Sequence, residues 1–513
     1  MESKQDNTYS VLVDKGAVVE ASYLPPELPK FGGNPLIAAL PPSNTKKGAA
    51  KLMQRFPEYN DAMRQLPPHL RTQAVMDLLH FFQPLAINLR LEGMISRVIR
   101  DGYLSRNPMD PAYAGTINER LQCFKENRSL AGHFAPTAAG FSILGMSGIG
   151  KSTGMRSVLH LYPQIIIHNH YDGRNFTKVQ VVWLKLDCPK DGSTRGLCMS
   201  FFKAFDAILD TNYAGEYGKK GRNTTELALS MANVAARHHL GILGIDEIQN
   251  LNAAKSGGAD ETLNFFVHLI NTIGLPVVLI GTYEAADLLG GSFRQARRGS
   301  GQGDLVWDWM EFDEDWLLFV ETLWGLQYVQ KECPLTNELC GVLHDVSYGV
   351  TDIAIRVYLA AQIRAIETGV EEITEGMIRS AYRDDFRLIS RIIEVLKSGD
   401  VEAIKKIQDV TPPKKLHVSN LPSYPEPQTG KERVGAPEGE SPLTSNDESA
   451  EVIQPPPASK NRQSTKGKDR NAVVYEPDDL RGIIARGRLS TPSVKPYQSL
   501  LDAGYIKSSA EYL

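Results

Sequence analysis

The chain has 513 residues, 42% of them hydrophobic, and a formal net charge of −4. Such a length holds about two to four domains with a sizeable core. The near-neutral balance excludes a surface that binds polyanions everywhere, so any nucleic-acid contact must be a local patch. Five cysteines without C-x-x-C spacing exclude a disulfide framework and a cysteine zinc site, leaving reduced, mostly buried thiols as the expectation. No apolar run approaches the ~18 residues of a membrane span. Met1-Glu2-Ser3-Lys4-Gln5-Asp6 does not read as a signal peptide. A cytoplasmic protein with no membrane partner is expected.

Residues 1–68 read as an N-terminal arm. Leu24-Pro25-Pro26-Glu27-Leu28-Pro29 and Pro41-Pro42 preclude long regular elements. Between them, Gly33–Pro41 is a short apolar segment, able to dock on a partner or to pack on its own domain. From 69 to 135 the pattern is helical. Leu85, Leu89, Met94, Ile95, Val98 and Ile99 form one stripe, with Arg90, Arg97 and Arg100 elsewhere on the surface and Gly102 as the stop. Tyr103 and Leu104 are candidates for contact with a nucleotide base, with core packing as the alternative.

Gly145-Met146-Ser147-Gly148-Ile149-Gly150-Lys151-Ser152 is a complete G-x-x-x-x-G-K-[ST] phosphate loop. A short apolar strand, Phe141–Leu144, precedes it, and a helix from Thr153 to Tyr162 follows. Glycines let backbone N–H groups turn toward phosphate oxygens, and the helix N-terminus adds positive partial charge. Gly145, Ser147, Gly148, Ile149, Gly150, Lys151, Ser152 and Thr153 are therefore the candidate ATP contacts. Lys151 would reach the β- and γ-phosphates, and Ser152 would ligate Mg²⁺.

Val179–Asp187 reads as one strand, followed by a polar loop with Lys190 and Arg195 and a helix marked by Leu197, Phe201, Phe202 and Phe205. A second loop, Tyr217–Thr225, is basic. Within it Asn223 and Glu226 form a capping box that opens a helix to His239. Leu240–Ile245 is an apolar strand ending in Asp246-Glu247, a Walker B pattern. Asp246 would hold Mg²⁺, and Glu247 would polarise the attacking water. Asn250–Gly258 reads as a loop and Asp260–Ile273 as a helix. A further strand, Pro276–Ile280, ends in Gly281-Thr282. Thr282 fits the polar sensor-one position of AAA+ ATPases, with capping of the next helix as the alternative. Alternating strands and helices imply an α/β fold with a parallel, doubly wound sheet.

Arg294, Arg297 and Arg298 are candidates for a finger reaching a neighbouring subunit's nucleotide, with a solvated or DNA-facing basic turn as the alternative. Residues 301–408 read as a helical lid after a 69–300 core. At the usual sensor-two arginine position the lid has Asp352, leaving Arg356 one helical turn on as the candidate. From 409 to 513 the chain holds thirteen of its thirty prolines and no Phe or Trp, the composition of a disordered tail with short terminal binding motifs.

Taken in order, Asn34-Pro35-Leu36-Ile37, Leu40-Pro41-Pro42, Phe82-Gln83-Pro84-Leu85, Gly102-Tyr103, Arg106-Asn107-Pro108, Asp246-Glu247-Ile248-Gln249, Leu263–Val267 and Arg297-Arg298-Gly299 resemble TnsC. TnsC is the AAA+ ATPase regulator of heteromeric, Tn-seven-like transposition. The resemblance runs from about 33 to 397 and implies an ATP-dependent homo-oligomer, a ring or helical filament, on double-stranded DNA. It further implies a TniQ/TnsD-type target selector, a TnsB-type transposase and a TnsA-type endonuclease as partners, with the tail as a candidate docking segment. Its DNA contacts would be to the backbone. Lys190, Arg195, Lys219, Lys220, Arg222, Thr224 and Thr225, in two loops that each lead into a helix N-terminus, are the candidates. The rival readings are another initiator-type AAA+ ATPase, such as a helicase loader, and a scaffold in which nucleotide is only structural.

Overall fold

A computed structural model describes residues 14–126, 140–219, 222–253, 258–289 and 303–398. Five strands form one parallel sheet: β2 (Phe141–Gly145), β5 (Trp183–Asp187), β6 (Ile242–Asp246), β7 (Val277–Gly281) and β8 (Leu305–Trp307). Their spatial order is β5-β6-β7-β2-β8, and each neighbouring pair is parallel. The strands β2, β5, β6 and β7 are buried along almost their whole length, as a sheet covered on both faces must be. Helices Thr194–Leu209, Thr224–Arg237 and Gly258–Ile273 pack on one another, while Lys151–Leu159 packs on Ala86–Leu104.

A second sheet joins β1 (Val18–Glu20), β3 (Ile165–Tyr171) and β4 (Arg174–Val181) in the order β1-β3-β4. The stretch expected as one strand over Val179–Asp187 is thus two. Val182 breaks it, donating its N–H to the Gln164 carbonyl on one side and accepting from Ile242 N on the other. The chain changes sheet there without losing its backbone hydrogen bonds.

The long helix Ala86–Leu104 carries the expected apolar stripe but continues two residues past Gly102. A Cβ at Gly102 would lie 2.6 Å from the Pro276 ring, so this glycine allows close packing rather than ending the helix. Arg100, expected at the surface, is buried, donating to Ser96 Oγ at 2.8 Å and to the Pro41 carbonyl at 2.6 Å. Leu36, Ile37 and Leu40 of the Gly33–Pro41 segment are also buried, in the same hydrophobic cluster as the sheet and the lid. Their apolar surface is thereby covered by their own chain. All five cysteines are free and buried. Among the described residues no helix is long and apolar enough to cross a membrane. The expected tail lies outside the described residues.

Candidate active site

The phosphate loop leaves the carboxyl end of β2, Asp246 ends β6, and Thr282 follows β7. Since β6, β7 and β2 are consecutive in the sheet, one edge collects all three motifs, at the position where open parallel sheets bind ligands. They line a cavity of about 550 Å³, within the range of roughly 300–1,000 Å³ that holds small-molecule ligands. Ser147, Gly148, Ile149, Gly150, Lys151, Ser152, Thr153, Asp246, Glu247 and Thr282 all contribute to its wall. Gly148 and Gly150 adopt φ of 77° and 103°, which glycine takes without a steric penalty. Ile149 anchors the loop in the core. Lys151 Nζ donates to the Gly145 and Met146 carbonyls, each at 2.8 Å.

Gly145 does not line the cavity. A Cβ there would come within 2.0 Å of the Trp307 carbonyl oxygen on β8, so the position needs glycine for strand packing. Tyr103 is fully buried and donates from its hydroxyl to the His239 carbonyl, a core role. The apolar wall comes instead from Leu79, Phe81, Phe82 and Leu85. The adjacent aromatics preceding Pro84 are the available sequence signal.

Asp246 is buried, and each of its oxygens is engaged. Oδ1 accepts the Glu247 N–H at 2.9 Å, and Oδ2 lies 2.9 Å from Lys185 Nζ. Lys185 also reaches Asp187 Oδ1 at 3.1 Å. Burial disfavours the charge on Lys185, but Asp246 and Asp187 outweigh it and raise the ammonium above the ordinary lysine value. Sequence reading misses Lys185. Its signal is one lysine inside an apolar strand, and its partner lies on the adjacent strand.

Glu247 sits at φ 55°, a left-handed backbone that costs a non-glycine residue about 1–2 kcal/mol. Strain of this kind collects at functional sites. Burial and the neighbouring Asp246 raise its carboxyl above the usual range, opposed by Gln249 and Lys151. Gln249 donates through Nε2 to Glu247 Oε2, and its Oε1 accepts the Thr282 N–H at 3.1 Å. One side chain thus connects the Walker B glutamate to the end of β7. Thr282 is buried, caps nothing with its side chain, and has a hydroxyl without a hydrogen-bond partner among the described residues.

The lid closes the cavity with Thr351, Asp352 and Ile355, at the start of helix Thr351–Glu367. Arg356 does not line it. Its Nε pairs with Asp352 Oδ2 at 2.8 Å, and the side chain is half exposed. Of the DNA candidates, Lys190, Arg195, Lys219 and Thr225 are exposed and Arg222 and Thr224 half-buried. Arg195 Nη1 donates to the Arg222 carbonyl at 2.9 Å, which joins the two loops. The capping box forms as expected, with Asn223 accepting from Glu226 N and Glu226 from Asn223 N. Arg294, Arg297, Arg298 and Lys220 lie outside the described residues.

Residues 137–289 match the family model described as an AAA domain. No curated protein matches the chain. Among solved structures, a Walker-type ATPase of Pyrococcus abyssi is 15% identical, over 55% of this chain and 75% of that one, with a TM-score of 0.32. The ORC1 protein of Aeropyrum pernix, solved in complex with DNA, is 14% identical over 58% and 72%, at 0.33. Cdc6p of Pyrobaculum aerophilum is 13% identical over 53% and 66%, at 0.33. The parallel five-stranded sheet and the phosphate loop at its edge, with the matched stretch spanning β2 to β7, make this an AAA+ P-loop domain.

Proposed function

We propose that the protein is an ATPase that hydrolyses ATP as a switch while bound to double-stranded DNA, and that it regulates DNA transposition. The observation that carries the ATPase reading is the meeting of Lys151, Ser152, Asp246, Glu247 and Thr282 around one cavity. Donated N–H groups and Lys151 would hold the phosphates. Glu247 would take a proton from the attacking water, and the Thr282 hydroxyl would orient that water. The hard oxygen donors of Ser152 and buried Asp246 fit Mg²⁺, which would neutralise phosphate charge when bound. The junction of the two basic loops at Arg195 and Arg222 supports the DNA surface. Assembly into a ring or filament, and the TniQ/TnsD-, TnsB- and TnsA-type partners, rest on the resemblance of the motifs to TnsC.

Two variants test the chemistry. Lys151→Ala removes charge-assisted hydrogen bonds worth ~1.5–3 kcal/mol and should weaken ATP binding roughly ten- to a hundredfold. Glu247→Gln should keep ATP and DNA binding but slow turnover by about 10²–10⁴, the usual contribution of a general base. Equal hydrolysis by Glu247→Gln and the parent protein removes Glu247 from the mechanism. DNA-stimulated turnover separates a switch from a nucleotide-bound scaffold. Co-purification of a transposase separates a transposition regulator from a helicase loader.

A further inference from the structure

Lys185 pairs with Asp246 of the cavity wall, and the ATPase reading does not use it. It stands on β5 opposite Gly244 of β6, two residues before the end of its strand. Its stem follows the strand toward the carboxyl edge, with Nζ between Asp246 Oδ2 at 2.9 Å and Asp187 Oδ1 at 3.1 Å. The two acceptors differ in setting. The Asp246 side chain is 5% exposed and that of Asp187 is 69% exposed. The attraction to Asp246 therefore acts in a low-dielectric setting, whereas that to Asp187 is screened by water.

We propose that Lys185 is a built-in competitor of Mg²⁺ for Asp246, and that Asp187 is the acceptor to which its ammonium withdraws when the metal arrives. The inference rests on the ATP and Mg²⁺ reading of this cavity. With Oδ1 held by the Glu247 N–H, Oδ2 is the oxygen over which lysine and metal compete. A divalent ion brought in with phosphate oxygens has more ligands and twice the charge, and displaces the ammonium. A divalent ion alone has too few partners to do so. Lys185 thereby orders the site, so that metal is taken up with nucleotide and not before it. It is a positioning residue, acting through Asp246 and touching no reacting atom.

The test is a Mg²⁺ titration of fluorescent ATP-analogue binding by the full chain, read by anisotropy, alongside the thermal shift produced by Mg²⁺ alone. Lys185→Met should lower the half-saturating Mg²⁺ concentration roughly 10- to 100-fold, the range over which groups touching a ligand alter metal affinity. It should also gain a thermal shift with Mg²⁺ alone that the parent protein lacks. An unchanged or higher midpoint in Lys185→Met makes the lysine a structural counter-ion and overturns the proposal. Should that variant fail to fold, Asp187→Asn decides. With its retreat removed, the ammonium stays on Asp246, so the midpoint should rise; an unchanged or lower value overturns the proposal. Mg²⁺-dependent binding in the parent with no shift in the variants refutes the competition alone. No Mg²⁺-dependent nucleotide binding in the parent refutes the ATPase reading and the competition with it.

Discussion

Thr282 has a buried hydroxyl with no hydrogen-bond partner among the described residues, on the wall of the cavity and next to a backbone N–H held by Gln249. An unsatisfied buried polar group costs about 1–3 kcal/mol, so the fold alone gives no reason to keep it. Thr282→Val replaces the hydroxyl with a methyl of nearly the same shape. It should leave the melting temperature unchanged or slightly raised while lowering ATP turnover by roughly 10²-fold, comparable to removing one aligned donor at a reaction centre. Full activity in this variant would make Thr282 a packing residue. At this scale the sequence is legible where a motif is contiguous. The phosphate loop and Asp246-Glu247 each occupy a few consecutive positions whose chemistry is readable from residue type. Lys185 and Gln249 are not readable in this way, because each acts through a partner that only strand pairing or a turn brings near. Gly145 has the right type for the loop and a different physical reason, the carbonyl of Trp307.

Elements follow the same division. Helices with an amphipathic stripe and a cap are legible, as the capping box at Asn223 shows. Short strands buried among others carry no period that identifies their partners, so a continuous apolar run across Val182 conceals a change of sheet. The three-residue β1 and β8 are too short to signal at all. The helices Thr194–Leu209 and Thr224–Arg237 both begin beside the Arg195–Arg222 junction. Two helix N-termini and the exposed Arg195 therefore come together, an arrangement suited to phosphate rather than to base edges. Lys190, Arg195 and Lys219 are exposed, so the triple alanine variant should fold and bind ATP normally. Its DNA binding should weaken equally for unrelated sequences. The log–log salt slope should flatten by about 0.9 for each phosphate that a subunit no longer neutralises. An unchanged slope would place the DNA on another surface.

Buried residues from Phe31 to Leu396 share one hydrophobic cluster. Proline-rich composition at 24–42 marks irregular backbone correctly but cannot reveal that Leu36, Ile37 and Leu40 are buried by distant parts of the chain. Arg71 ties the helix Pro68–Ala74 to Glu371, far along the chain. Its side chain is fully buried and pairs with Glu371 through both terminal guanidinium nitrogens, Nη1 and Nη2, at 2.6 and 2.7 Å. Arg71 also donates to the Tyr328 carbonyl at 3.0 Å and to the Leu66 carbonyl at 2.8 Å. The hydrogen bond from Arg71 lowers the Glu371 carboxyl below its ordinary 4.5, against a smaller opposing effect of burial and with help from the Gln330 N–H. A depressed folded-state value stabilises the fold above the unfolded value, and that contribution is lost as pH falls through the folded one. Glu371→Gln leaves the guanidinium buried without its counter-charge, which should cost about 3 kcal/mol at neutral pH. The difference from the parent protein should shrink as pH drops below 4.5, because the unfolded parent then takes up a proton that the native carboxylate still resists, and it should vanish once pH falls through the depressed native value. Urea unfolding at about pH 7 and pH 3 measures both arms. A difference of the same size at the two values would mean that Glu371 acts through shape alone, and that the charge pair does not bind the helix Pro68–Ala74 to the lid.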